Sequence, residues 1–127
     1  MILDGRATAD RRLDRLKGEI RASGITPGLA TVLVGTDPGS RLYVQMKHRA
    51  CERVGIRSTS VELPGEATTG EVVREVRALG GNSSVDGILV QLPLPGHLDG
   101  RRIIAAIPPD KDVDGFTPLS LGRLFSG

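Results

Sequence analysis

The sequence predicts an α/β fold, a three-layer domain whose mainly parallel sheet is flanked by helices. Two observations carry that prediction. Helix-period stretches alternate with short apolar runs along the whole chain, the order expected when each strand is followed by a covering helix. Leu29 to Val34 is also apolar almost throughout, which suits a strand covered on both faces.

Each element has a local cause. Residues 6–22 space Leu13, Leu16 and Ile20 three and four apart among charges, the pattern of one buried helix face. Gly24 and Pro27-Gly28 stop that helix before the strand from Leu29. Gly35-Thr36-Asp37-Pro38-Gly39 is a turn, Ser40 is placed to cap the next helix to about Val54, and Gly55 stops it. Ile56 to Leu63, with Thr59, Val61 and Leu63 at period two, reads as a second strand. Thr68 with Glu71 forms a capping-box pattern that opens a helix through Val72, Val73, Val76 and Leu79, closed by Gly80-Gly81-Asn82. Val85 to Val90 is the third strand. Asp99 caps a short helix over Ile103 to Ala106, and Pro108-Pro109 breaks it. Asp110 to Gly127 reads as a loop followed by two helical turns.

A chain of 127 residues is one domain's worth, long enough to bury roughly two-thirds of its unfolded surface. No run approaches the ~18–20 apolar residues a bilayer span needs, and no basic-then-apolar start resembles a secretory signal. With a lone cysteine, Cys51, the expectation is a cytoplasmic protein. The net charge of +2 is spread among interleaved acids, and Tyr43, Phe116 and Phe125 make no stacking platform, so nucleic acid is not expected as a partner. His48, His97 and Cys51 have no metal-type spacing, and no metal is expected. The acidic Asp110–Gly115 run lacks the glycine and terminal glutamate of a calcium loop.

Chemistry concentrates at two places. On a helix, Ser40, Tyr43 and Lys47 stack on one face, and this chain has one tyrosine and three lysines in all. Gln91 follows directly on the third strand. Helix geometry alone leaves two readings of Tyr43 and Lys47 open, a half-buried tyrosine with a solvated lysine, or paired site groups. Gln91 is likewise a polar strand cap or a site amide. Their position favours the site, because ligands of open α/β sheets lie beyond the carboxyl ends of the strands. Ser40 has two readings of its own, helix cap or partner of Lys47. The Gly35–Gly39 turn matches no phosphate-binding glycine pattern, and Asp37 would repel a phosphate.

Three segments resemble one family in the right order. They are Tyr43-Val44-Gln45-Met46-Lys47 with Ala50 to Ile56, Asp86 to Pro95, and Pro109-Asp110-Lys111-Asp112-Val113-Asp114-Gly115-Phe116. Together they are similar to the bifunctional methylenetetrahydrofolate dehydrogenase/cyclohydrolase family, and the resemblance covers essentially the whole chain. It implies that residues 1–127 are the folate-binding catalytic domain, and that the family's Rossmann-like NADP- or NAD-binding domain lies outside this chain. Two departures stand out, Gly80 and Ser120 where the family usually has asparagine. No cofactor-binding residue is assigned within the chain.

The implied activity is oxidation of 5,10-methylenetetrahydrofolate by hydride transfer to the nicotinamide, then hydrolysis of the methenyl cation to 10-formyltetrahydrofolate. That places the protein in one-carbon metabolism and purine biosynthesis. The resemblance assigns Lys47 as the general acid/base, Tyr43 as a wall and hydrogen-bonding partner of the folate, and Gln91 as the group orienting Lys47. Asp114 holds the pterin, with Ser40, Leu92 and Pro93 as further substrate contacts. An amine transfers protons well only where its surroundings disfavour the ammonium, as packing against Leu92 and Pro93 beside a cationic substrate would. The family's homodimer is expected only with the second domain. The alternative is a stand-alone folate-binding module without turnover.

Overall fold

The structure is a computed structural model and describes residues 4–127. In chain order the elements are α1 (Gly5–Ser23), β1 (Gly28–Val34), α2 (Pro38–Val54), β2 (Arg57–Leu63), α3 (Thr69–Gly81), β3 (Gly87–Val90) and α4 (Gly100–Ala105). A 3-10 turn (Pro109–Lys111) and α5 (Pro118–Ser126) follow. The three strands form one parallel sheet in the order β2-β1-β3. The α/β class and the layering are as the sequence predicts.

Alternation along the strands divides the core in two. Ala30, Val32, Val34, Ile88 and Val90 join Val72, Val73 and Val76 of α3, Ile103 of α4, and Ile107 in one aliphatic cluster. By the same alternation Thr31, Leu33, Leu89 and Gln91 turn to the other face, under α2. There Thr31 Oγ1 lies 3.3 Å from His48 Nε2, and His48 Nδ1 lies 2.6 Å from Ser58 Oγ. Val44, Cys51 and Val54 are the buried apolar residues of α2.

Local signals behave as read. Thr68 and Glu71 make both halves of the capping box, and Gly24 and Gly55 end α1 and α2 at φ 68° and 90°, left-handed values that favour glycine.

Two expectations are corrected. The Leu13, Leu16 and Ile20 face of α1 is not a buried one: no residue of α1 is buried, and Leu16 is exposed. The helix rests against α2 outside the sheet layers, with Arg53 binding Asp10 and Asp14 at 2.6 and 2.9 Å across the contact. Periodicity shows that a helix has an apolar face, not how deeply it is covered. Ser40 does not cap α2. Asp37 does, its carboxylate accepting from the Ser40 N–H at 2.7 Å, and that bond holds the Asp37 carboxyl below its ordinary value.

Candidate active site

The site is assembled where α2 passes over the carboxyl end of β3. Capping by Asp37 and a proline in the first turn set the start of α2, and 3.6 residues per turn then stack Tyr43 and Lys47 on one face. From the sheet side, the Gln91 N–H continues the ladder by donating to Val32 O at 2.9 Å. That bond fixes where the Gln91 side chain emerges.

Lys47 Nζ donates to Gln91 Oε1 at 2.9 Å, joining residues 44 positions apart. Gln91 is 8% exposed, and its Nε2 donates to Leu92 O at 2.8 Å. The amide is therefore held at both ends, with its acceptor oxygen facing the amine. Lys47 itself is half-buried.

Asp114 completes the charged set. Desolvation of its carboxyl raises its pKa above the ordinary value, the Lys47 charge opposes that rise, and the Asp112 charge adds to it. Asp114 thus sits within the field of Lys47. Tyr43 is 60% exposed at the rim of the same helix face.

Ser40 is 4% exposed, and its hydroxyl lies toward the Asp37 carboxylate, whose pKa its N–H and side chain together hold below the ordinary value. Ser40 fills neither the capping role nor a bond to Lys47. Leu92 and Pro93 are both exposed to solvent next to Gln91. The Leu92–Pro93 peptide is cis.

Beside the polar cluster lies a cleft of about 620 Å³ whose apolar wall includes Leu92, Ile104, Phe116 and Leu121, with Arg101 as its charged member. Leu92 follows Gln91 and Phe116 lies two residues past Asp114, so cleft and cluster share their loops. A volume of this size suits a small organic ligand.

Sequence reasoning missed the residues that build the Asp114 loop. Asp112 accepts from the N–H groups of Gly115, Phe116 and Thr117 at 3.0, 3.3 and 2.8 Å. Lys111 Nζ donates to the carbonyls of Gly80 and Asn82, both at 2.9 Å. The signal was an aspartate ahead of a glycine turn, the composition of a side chain that bonds its own backbone. The two departures from the family pattern also find places. A Cβ at Gly80 would come 2.8 Å from Pro108 Cγ, and Ser120 Oγ accepts from Thr117 Oγ1 at 2.9 Å.

Two kinds of site fit poorly. Among the described residues no three His, Cys, Asp or Glu side chains come together to hold a metal. The turn into α2, where a dinucleotide phosphate would sit in many α/β domains, is filled by the Asp37 carboxylate.

A parallel sheet with a lysine–amide pair beyond its strand ends, next to an apolar cleft, is an α/β domain with the arrangement in which open sheets of this class carry their ligand sites. The chain belongs to the tetrahydrofolate dehydrogenase/cyclohydrolase family, whose catalytic domain matches residues 3–114. A bifunctional protein FolD from Methanoculleus marisnigri is 60% identical over all 127 residues, which span 45% of that relative. The chain thus covers about half the length of the curated relatives it matches. The crystal structure of the bifunctional FolD dehydrogenase/cyclohydrolase of Campylobacter jejuni superposes with a TM-score of 0.92 at 40% identity, over 98% of this chain and 45% of that one. The Trypanosoma brucei FolD, solved with NADP and an inhibitor, gives 0.92 at 37% identity, over 98% and 43%.

Proposed function

We propose that this chain is the folate-binding catalytic domain of a bifunctional enzyme. That enzyme oxidises 5,10-methylenetetrahydrofolate to the 5,10-methenyl cation and hydrolyses the cation to 10-formyltetrahydrofolate. The observation that carries the reading is the Lys47–Gln91 bond at the strand end, within reach of the Asp114 charge. Family membership supplies the substrate class.

In this reading Lys47 moves the proton as water adds to the methenyl carbon and the ring opens. Gln91 accepts from the amine, and so holds it in line through either protonation state. Asp114 accepts two hydrogen bonds from the aminopyrimidinone edge of the pterin, one from the ring N–H and one from the exocyclic amine. Tyr43 forms the rim wall against the folate, with Leu92 and Pro93 closing on it from the sheet side.

The dehydrogenase half takes NADP or NAD as its hydride acceptor. Among the described residues the turn into α2, where many α/β domains hold a phosphate, is filled by the Asp37 carboxylate, so the NADP or NAD phosphates are held mainly by the second domain. The dinucleotide domain, and with it the homodimer, belongs to the longer protein, a cytoplasmic enzyme of one-carbon metabolism that feeds purine biosynthesis. Among the described residues no helix is long and apolar enough to cross a membrane.

The test is Lys47→Met in the protein carrying both domains. Cyclohydrolase activity falls by roughly 10²–10⁴-fold, the usual contribution of a general acid–base group. Dehydrogenase activity survives better, because the bridging carbon gives up a hydride and not a proton. Unchanged cyclohydrolase turnover, with a melting curve like wild type, would reject the catalytic lysine. A second reading, a folate-binding module without turnover, draws on the same Asp37 observation. It predicts folate binding by the 127-residue chain with no hydrolysis of methenyltetrahydrofolate, whereas the enzyme reading predicts residual hydrolysis.

A further inference from the structure

The loop that carries Asp114 is tied down on every side. Asp112 pairs with Ile88 as an isolated parallel bridge, which attaches the loop to the edge of β3. Its carboxylate then collects three successive backbone N–H groups, from Gly115, Phe116 and Thr117. Burial alone would raise its pKa, but the Thr117 N–H and the hydroxyls of Ser120 and Thr117 outweigh burial and hold it below the ordinary value. One residue earlier, Lys111 closes the last carbonyls of α3. One residue later, Val113 rests over Gly87, where an added Cβ would sit 2.5 Å from Val113 Cγ1. Asp114 is the residue between these fixed points whose carboxylate the clamp does not use.

A carboxylate bonded to three N–H groups of the following turn dictates the path of that turn, and so the direction of the residue it encloses. Nothing in the site chemistry itself calls for Asp112, because its oxygens are taken up by its own loop. We propose that Asp112 is a positioning residue: its carboxylate holds the 112–117 loop in the conformation that presents the Asp114 carboxylate at the strand-end site. The catalytic meaning of that placement rests on the folate reading above, whereas the placement itself does not.

The experiment therefore reads the Lys47–Asp114 interaction without folate first. In the 127-residue chain with carbon-13 at the aspartate carboxyls, the Asp114 titration midpoint is followed by NMR with and without Lys47→Met. The charges facing Asp114 are Lys47 and Asp112. In the wild-type background, removing the Lys47 charge shifts the Asp114 midpoint upward. In the Asp112→Ala background that response disappears, because the loop no longer holds the Asp114 carboxylate within range of the Lys47 charge. Asp112→Asn keeps an acceptor for Gly115 and Phe116 but not the one for Thr117, so it weakens the response; it decides the matter if the alanine variant does not fold. An undiminished response to Lys47→Met in either folded variant overturns the proposal. Adding 5-formyltetrahydrofolate then separates the two readings. If Asp112 controls the interaction but the folate leaves the Asp114 signal unmoved, the positioning role stands and the folate assignment falls.

Discussion

The two faces of the β1–β3 pair are built from alternate residues of the same strands, yet they differ in kind. Toward α3 and α4 the sheet presents Ala30, Val32, Val34, Ile88 and Val90, and every buried partner there is aliphatic. Toward α2 it presents Thr31 and Gln91 among Leu33 and Leu89, and these polar groups meet His48 and Lys47 through hydrogen bonds. On the first face a residue is defined by its volume, because dispersion and burial are non-directional. On the second it is defined by which atoms donate and accept. One face holds the domain together while the other can hold reactive groups at 2.9 Å, and a single strand serves both because its side chains alternate.

That contrast can be broken from either side. The largest effect on stability is expected from Ile88→Ala, which opens a cavity under a fully buried side chain and costs about 2–5 kcal/mol. Thermal melting should show a drop of many degrees, while below the new midpoint the Lys47–Gln91 pair and ligand binding persist. A melt within a degree of wild type would show that the aliphatic face is not the main source of stability.

Gln91→Ala acts the other way round. It removes the acceptor from the Lys47 amine at a cost of about 1–3 kcal/mol, a smaller loss than at Ile88. In the proposed two-domain enzyme its main expected result is lost cyclohydrolase activity, read as kcat beside a melting curve. Full activity in that variant would remove the functional distinction between the faces. The 127-residue chain itself should show no NADP-dependent oxidation of methylenetetrahydrofolate, since hydride transfer needs a nicotinamide held against the folate carbon. Robust turnover with added NADP would contradict that expectation.

The smallest effect is the pH dependence of the 112–117 loop, where two neighbouring aspartates have opposite signs. The Asp112 pKa is lowered by folding, so its contribution to stability is present above the unfolded value of about 3.9 and lost as pH falls through the folded one. The Asp114 pKa is raised, so its contribution is present below about 3.9 and lost as pH rises through the folded value. Asp114→Asn should therefore melt slightly above wild type at neutral pH, with the gain gone below about pH 4. Asp112→Asn should melt below wild type at neutral pH, and the gap should close in acid. Melting temperatures across pH 3 to 7 check both signs.

What could be read in advance was whatever a few neighbouring residues decide. Thr68 with Glu71, Gly55 after Val54, and the apolar run into Val34 each act within about one helical turn or one strand, so their outcome is written locally. Helix spacing and the strand-end rule pointed to Lys47 and Gln91, whereas their roles, and Asp114 as their companion, came through family likeness. The Asp37 cap, a bond across three residues, was locally legible and was misassigned to Ser40. Only the tertiary structure decided that α1 lies outside the layers. Nor does any local pattern report that Lys111 reaches back to Gly80, or that Lys47 meets an amide 44 residues away. The sheet order β2-β1-β3 sets those distances, and it arises from the packing of whole elements against one another, a competition that no window of neighbouring residues contains.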